Sequence, residues 1–141
     1  MAKIEAWRFR CRMGLAILYG VAGVLHIALP GPFVSITPHW VPDVEEVILL
    51  TGICEIAGAI GLLLPRTRRF AGAALAFYAV CVFPANIGHA IDNIAMHGTS
   101  IWPWLYHLPR LALQPALVWA ALFAGGLAAP AIPHVNQKKH E

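Results

Sequence analysis

Apolar residues form four long runs along the chain, and short polar or proline-rich segments separate the runs from one another. The runs cover approximately residues 13–29, 44–64, 70–91 and 105–128. A helix needs about 20 mostly apolar residues to cross a bilayer, and each run is close to that length. The pattern therefore predicts an all-α protein whose single domain, residues 1–141, is a transmembrane four-helix bundle.

Three connecting segments and a polar tail make up the rest of the chain. The runs are joined in order by LPGPFVSITPHWVPD, PRTRR and DNIAMHGTSIWPW, and the chain closes with HVNQKKHE. These segments leave no room for a separate soluble domain. A basic segment before an apolar run also begins a secretory signal peptide, but no good small-residue cleavage site follows the first run. We therefore expect the first run to remain in the protein as a helix.

The composition agrees with lipid as the surrounding solvent. Hydrophobic residues make up 59% of the chain and charged residues only 12%, whereas about a quarter of a soluble domain is charged. The net charge of +3 would suit nucleic acid, but the basic residues occur in short clusters between apolar runs and form no continuous patch. We therefore expect membrane lipid as the partner and exclude nucleic acid.

Nine of the ten lysine and arginine residues fall at one end of the predicted bundle. They precede the first run, join the second to the third or follow the fourth, and they are Lys3, Arg8, Arg10, Arg12, Arg66, Arg68, Arg69, Lys138 and Lys139. Loops rich in basic residues stay on the cytoplasmic side of a membrane. The charges therefore predict that both termini are cytoplasmic, and we interpret the arginines as topology signals.

A small set of polar side chains lies inside the apolar runs. The candidate ligand-binding cluster consists of His26, Glu55, Asn86, His89, His107 and Arg110, with Gln114 close by. Ionisable groups at membrane depth are costly and usually face the interior of a bundle or a wet cavity. With a rise of about 1.5 Å per residue, all of them fall in the outer half of the bundle. We therefore expect a polar outer half and an apolar inner half.

Helical spacing places Glu55 on a face of small residues. Thr51, Glu55, Gly58 and Leu62 follow one another at helical intervals, and Gly52 flanks the same face. Small residues let transmembrane helices approach closely, so Glu55 is expected to point towards a neighbouring helix. Arg110 or a histidine is its expected partner.

Prolines coincide with the polar positions in the third and fourth runs. Pro84 precedes Asn86, while Pro109 and Pro115 flank the segment of Arg110. Proline within a helix removes a backbone donor and bends the helix, which leaves carbonyl groups to be satisfied locally or by water. These positions predict a pocket that opens outward and lies beneath the first connecting segment.

Several segments of the chain resemble the DoxX family of small membrane proteins. They are YGVAGVLHI, LTGICEIAGAIGLLLPRTRRFAG, VFPANI and HLPRLALQ, and the similarity extends from about Leu18 to Trp119. The resemblance implies a four-helix bundle in a bacterial-type inner (plasma) membrane with both ends inside. DoxX relatives include a subunit of a thiosulfate:quinone oxidoreductase and proteins tied to methylamine dehydrogenase maturation or oxidative stress.

The resemblance also carries functional positions over to this chain. They are His26, Glu55, Pro84, Asn86 and Arg110, whereas His89 and His107 have no clear place in the family pattern. Most family members have no assigned activity, and a shared fold does not deliver a shared reaction.

One functional hypothesis is a quinone-linked redox accessory subunit. Arg110, Asn86 or a histidine would donate a hydrogen bond to a quinone carbonyl, and Glu55 or His26 would relay protons. No cofactor motif is visible, since the chain has no haem CxxCH, iron–sulfur spacing, nucleotide loop or redox cysteine pair. Quinone is thus the candidate cofactor, and a redox partner protein would supply electrons. Whether the chain is an enzyme stays open.

The alternative hypothesis is a structural or assembly protein. Glu55 and Arg110 would then form a buried pair, and Asn86 and the histidines would complete a network that fixes helix packing. A metal site built from His26, His89, His107 and Glu55 is disfavoured, because no helix carries two ligands at binding intervals and Arg110 would repel a cation. Transport by a homo-oligomer is a further alternative. We predict no metal.

Overall fold

The computed structural model describes residues 2–97 and 100–129. The helices are α1 (Ala2–Ala28), α2 (Gly31–Ile36), α3 (Val44–Leu63), α4 (Arg68–Met96) and α5 (Trp102–Gly125). No β-strand occurs in either described range, so the all-α prediction is confirmed there. The predicted polar tail, with Lys138 and Lys139, lies outside the described residues.

Four of the helices, α1, α3, α4 and α5, are long and apolar enough to cross a membrane. This confirms the prediction of four membrane-length helices. Many large apolar side chains on these helices point away from the bundle, including Phe70, Phe77 and Leu113. Such an apolar exterior is expected when the surrounding solvent is lipid.

The four long helices pack side by side in a closed ring. The most extensive contacts join α1 to α3 and α4 to α5, while α3 also contacts α4 and α1 contacts α5. The short helix α2 packs against α3. The apolar core lies between the long helices and includes Leu15, Tyr19, Leu62, Leu75 and Ala121.

Glycines allow both of the closest helix pairs to form. A Cβ atom on Gly23 of α1 would lie 2.6 Å from the carbonyl oxygen of Gly52 on α3. A Cβ atom on Gly72 of α4 would lie 2.6 Å from the carbonyl oxygen of Ala121 and 2.8 Å from the Cα atom of Gly125. Because those distances leave no room for a side chain, each pair depends on a backbone-to-backbone contact.

Helix boundaries differ from those of the apolar runs. Helix α1 begins at Ala2 and not near residue 13, because the basic segment continues the same helix. Helix α5 begins at Trp102 and ends at Gly125, where the positive φ of Gly126 and bonds from its N–H to Leu122 and Phe123 cap the helix. Helix α2 was not predicted, since its six residues are too few to show a helical period.

The internal prolines do not end their helices. Helix α4 continues through Pro84, and helix α5 continues through Pro109 and Pro115. Their missing N–H groups remove backbone hydrogen bonds within the helices that border the polar region.

Candidate ligand-binding cavity

A cavity of about 540 Å³ lies among the five helices. Each helix contributes to its wall, for example through His26 of α1, Phe33 of α2, Glu55 of α3, Asn86 of α4 and Arg110 of α5. Small-molecule sites in proteins have volumes of about 300 to 1,000 Å³ and combine an apolar lining with a few convergent polar groups. The cavity has the size and composition of such a site, and we call it the ligand cavity.

Glu55 is the centre of the first polar group in this wall. Its side chain is buried, with only 4% of the residue exposed. The Tyr78 hydroxyl donates a hydrogen bond of 2.8 Å to Oε1, and Nδ1 of His26 lies 2.6 Å from Oε2. The carboxyl group therefore joins α1, α3 and α4 through both of its oxygens.

The first connecting segment covers this group. The ring of Phe33 lies 4.0 Å from the ring of His26, measured between centroids. Pro38, Trp40 and Val41 of the same segment also line the ligand cavity. The segment is thus placed over the pocket, where the sequence predicted it.

Arg110 begins a second polar group, which joins α4 to α5. Its Nη2 donates to Oδ1 of Asn86 at 2.6 Å, and Nδ2 of Asn86 lies 3.3 Å from Oε1 of Gln114. Gln114 in turn donates from Nε2 to the carbonyl oxygen of Ala79 at 2.7 Å. The Nη1 atom of Arg110 is buried and has no hydrogen-bond partner among the residues that the structure describes.

The expected pair between Glu55 and Arg110 was wrong. Glu55 uses its two oxygens for His26 and Tyr78, and Arg110 donates to Asn86. The alternative expectation, that a histidine partners Glu55, is confirmed. Because neither charged group meets the other, the cavity wall carries two separate polar groups.

His89 and His107 do not line the ligand cavity. Their rings contact each other with centroids 4.8 Å apart. Only 1% of His107 is exposed; its Nε2 lies 3.4 Å from Oδ1 of Asn93, and its Nδ1 has no partner within the described ranges. The six predicted residues are therefore divided, with four at the cavity and two in a separate contact between α4 and α5.

The four residues of the metal hypothesis are not brought together. Within residues 2–97 and 100–129, no group of three or more histidine, cysteine, aspartate or glutamate side chains has the arrangement to hold a metal ion. His26 and Glu55 form one contact, while His89 and His107 form another.

Sequence reasoning missed Tyr78. The residue lies about two helical turns before Asn86, so both occupy the same face of α4. A tyrosine within an apolar run usually finds a hydrogen-bond partner when it is buried, and that property was the available signal.

The ligand cavity is also open at its edges. Four side chains that line it are exposed, namely Leu18, Trp40, Cys81 and Tyr106. Leu18 lies within the apolar run of α1, so part of the opening is at the depth of that run.

Fold and cavity together define a class of small all-helical proteins in which four membrane-length helices surround a polar, ligand-sized cavity. The chain belongs to the family described as domain of unknown function (DUF8561), whose sequence model matches residues 15–125. The matched range contains every residue that lines the ligand cavity. No curated protein and no solved structure matches the chain.

Proposed function

We propose that the protein is a multi-pass membrane protein that binds a quinone headgroup in the ligand cavity and acts as an accessory subunit of a quinone-linked redox reaction. The observation that carries the proposal is that one apolar cavity is lined both by an arginine whose buried Nη1 has no partner among the described residues and by a separate carboxyl–imidazole–hydroxyl group. A quinone combines a flat apolar ring with two carbonyl acceptors, and that chemistry fits both features.

Arg110 is the donor proposed for one carbonyl group. Its Nη2 is held by Asn86, which fixes the orientation of the guanidinium group, while Nη1 makes no hydrogen bond to the described residues. A buried donor without a partner costs free energy, and a ligand acceptor would recover that cost. Phe33, Ile48 and Leu117 supply apolar surface for the ring and tail.

Glu55 and His26 are the groups proposed to exchange protons with the ligand. Reduction of a quinone takes up two electrons and two protons, so it needs acid–base groups within reach. The contact between His26 and Glu55 and the Tyr78 hydroxyl on the other carboxyl oxygen offer a connected path for protons. We assign the supply of electrons to a redox partner protein.

We further propose that both termini are cytoplasmic and that the membrane is of the bacterial inner, or plasma, type. The cluster of basic residues at one end of the bundle supports this orientation. It would put the ligand cavity in the outer half of the membrane. The resemblance to the DoxX family supports the same arrangement.

The test measures binding of decylubiquinone, a benzoquinone with an apolar tail, to the gently solubilised protein. Native mass spectrometry and thermal unfolding are the two readouts. We expect wild type to bind the quinone and Arg110→Met to bind it about tenfold more weakly, because one charge-assisted hydrogen bond is lost. Arg10→Met is the matched control, since Arg10 is exposed and contacts Trp7 away from the cavity. Glu55→Gln tests the other polar group of the cavity, and Glu45→Gln, at an exposed position, is its control.

The competing hypothesis is a purely structural network. The bond that Gln114 donates to Ala79 and the bond that it accepts from Asn86 favour it, since they join α4 to α5 without any ligand. In that case wild type would retain no small molecule and decylubiquinone would not raise its unfolding temperature. Arg110→Met would then lower the stability of the protein without any effect on ligand binding, and the quinone proposal would be rejected.

A further inference from the structure

A second cavity, of about 210 Å³, lies near the N-terminal end of α1. It is lined by Glu5, Arg8, Arg12, Arg68, Arg69, Gly125 and Gly126. Arg12 and His26 are both on α1 and are separated by about 21 Å along the helix axis, so this arginine pocket is remote from the ligand cavity. The sequence had suggested only a topology signal for these arginines.

Two arginines of α1 contact the C-terminal end of α5 and the residues just after it. Arg12, which is 8% exposed, donates from Nη1 to the carbonyl oxygen of Ala124 at 3.1 Å. Arg8 donates from Nη2 to the carbonyl oxygen of Ala128 at 3.2 Å, and its guanidinium group lies 5.4 Å from the centre of the Phe123 ring. The last carbonyl groups of a helix attract positive charge, and this attraction explains why Arg12 is buried there.

The pocket also contains positive groups that do not bond to these carbonyl groups. Arg68 and Arg69 begin helix α4, and the N-terminal end of a helix adds a positive field of its own. Within the described residues, Nε of Arg8 is buried without a hydrogen-bond partner. Four guanidinium groups thus line a pocket that contains one carboxylate, that of Glu5.

Glu5 marks the position that an anion takes in this pocket. One oxygen of its carboxylate lies 2.6 Å from Nη2 of Arg12 and 3.8 Å from Nη1 of Arg68, and the other lies 3.9 Å from Nη1 of Arg8. The Glu5 side chain is 53% exposed, so solvent or a competing anion can reach it. The carboxylate is therefore a half-exposed anion of the chain's own that lies among these arginines.

We propose that the arginine pocket binds a phosphate group and that Glu5 competes with the phosphate for the same arginines. Guanidinium groups match phosphate with paired hydrogen bonds, and basic pockets between the ends of membrane helices bind lipid headgroups. The pocket lies where helices α1 and α4 begin and α5 ends, which is the depth of the headgroups. An anionic phospholipid and inorganic phosphate both carry the required group.

The experiment measures lipid retention by native mass spectrometry, with the protein taken from phosphatidylcholine nanodiscs that contain or lack phosphatidylglycerol. Wild type is expected to retain phosphatidylglycerol in preference to phosphatidylcholine. In the double variant Arg68→Met/Arg69→Met, we expect this preference to fall by a factor of about five or more. The double variant Arg10→Met/Arg66→Met is the matched control, because both residues are exposed, carry the same charge and do not line the pocket. It keeps the preference of wild type.

The Glu5→Gln variant is expected to change the preference for phosphatidylglycerol in the opposite direction from the Arg68→Met/Arg69→Met variant. Removal of the competing carboxylate raises the preference for phosphatidylglycerol, and it makes the unfolding temperature depend more strongly on added anion than in wild type. Unfolding in phosphatidylcholine alone shows whether each variant is folded, so a loss of binding is distinguished from a loss of structure.

A parallel series with inorganic phosphate identifies the source of the group. Phosphate that stabilises wild type and displaces phosphatidylglycerol supports a site for free phosphate as well, whereas an effect of the lipid alone supports a headgroup site. Absence of any preference in wild type overturns the proposal. An equal loss in the Arg10→Met/Arg66→Met control also overturns it, because general surface charge would then account for the retention.

Discussion

The carboxyl group of Glu55 holds three helices at one level of the bundle. It accepts from Tyr78 of α4 and contacts His26 of α1, while its own helix is α3. The sequence predicted that Glu55 points inward, because the residues around it are small. It left the partner open between Arg110 and a histidine, since that choice depends on how each helix is rotated about its axis, and it missed Tyr78. Packing between distant parts of the chain sets that rotation.

Comparison of two tyrosine variants distinguishes the contribution of the Tyr78 hydrogen bond to stability from that of its ring packing. We expect Tyr78→Phe to lower the free energy of unfolding by about 1 kcal/mol, because Glu55 loses one donor while the ring remains. Tyr19→Phe is the control, since the Tyr19 ring packs edge-on against Tyr78 and its hydroxyl makes no hydrogen bond to another described residue. Unfolding of both variants in the same detergent, by heat or by denaturant, measures the difference. Equal losses would show that the bond to Glu55 contributes nothing specific.

Helix existence followed from the sequence, whereas helix ends and contacts did not. Long apolar runs predict helices because lipid requires every backbone polar group to be paired within the segment. Helix α1 extends to Ala2, and α2 forms between α1 and α3. Both features depend on local packing, which the pattern of apolar residues does not encode. The division of the predicted cluster into a cavity group and the His89–His107 contact likewise depends on how α4 and α5 meet.

The contact between α1 and α3 is expected to be intolerant of even one methyl group. A Cβ atom on Gly23 would lie 2.6 Å from the oxygen of Gly52 and 3.1 Å from Cβ of Glu55, so the helices must separate. We expect Gly23→Ala to lower the free energy of unfolding by about 1 to 3 kcal/mol. Gly14→Ala on the same helix has nothing within 4 Å of the new atom and is expected to be neutral or slightly stabilising.

Unfolding of the Gly23→Ala and Gly14→Ala variants under one set of conditions compares the two sites directly. The proposed function further predicts that Gly23→Ala weakens decylubiquinone binding, because Glu55 is displaced with its helix. A Gly23→Ala protein as stable as wild type would contradict the close packing of α1 and α3.

At the scale of the whole molecule, polarity is divided between two places. The ligand cavity contains the Glu55 and Arg110 groups, and the arginine pocket lies near the other end of α1. The sequence placed Arg12 before the first apolar run as a topology signal, but its side chain is buried within the bundle. Its burial depends on the carbonyl groups at the end of α5, which come from a segment more than a hundred residues away along the chain.

Single cysteines placed in the connecting segments test the proposed orientation. In a background with Cys11, Cys54 and Cys81 replaced by alanine, we expect His39→Cys to react with a membrane-impermeant maleimide added to intact bacterial cells. Arg66→Cys, at the opposite end of α3, is expected to react only after the membrane is permeabilised. The reverse labelling pattern would invert the topology and put the ligand cavity on the cytoplasmic side.

The exposed residues at the edge of the ligand cavity, Leu18 among them, bear on how the proposed quinone would reach it. In the proposed function, a quinone dissolved in the bilayer enters sideways between the helices without first passing into water. Occupancy then follows the mole fraction of the ligand in the lipid and not its concentration in the aqueous phase. Two samples with equal total quinone but unequal amounts of lipid would accordingly be filled to different extents, and the sample with less lipid would be filled further.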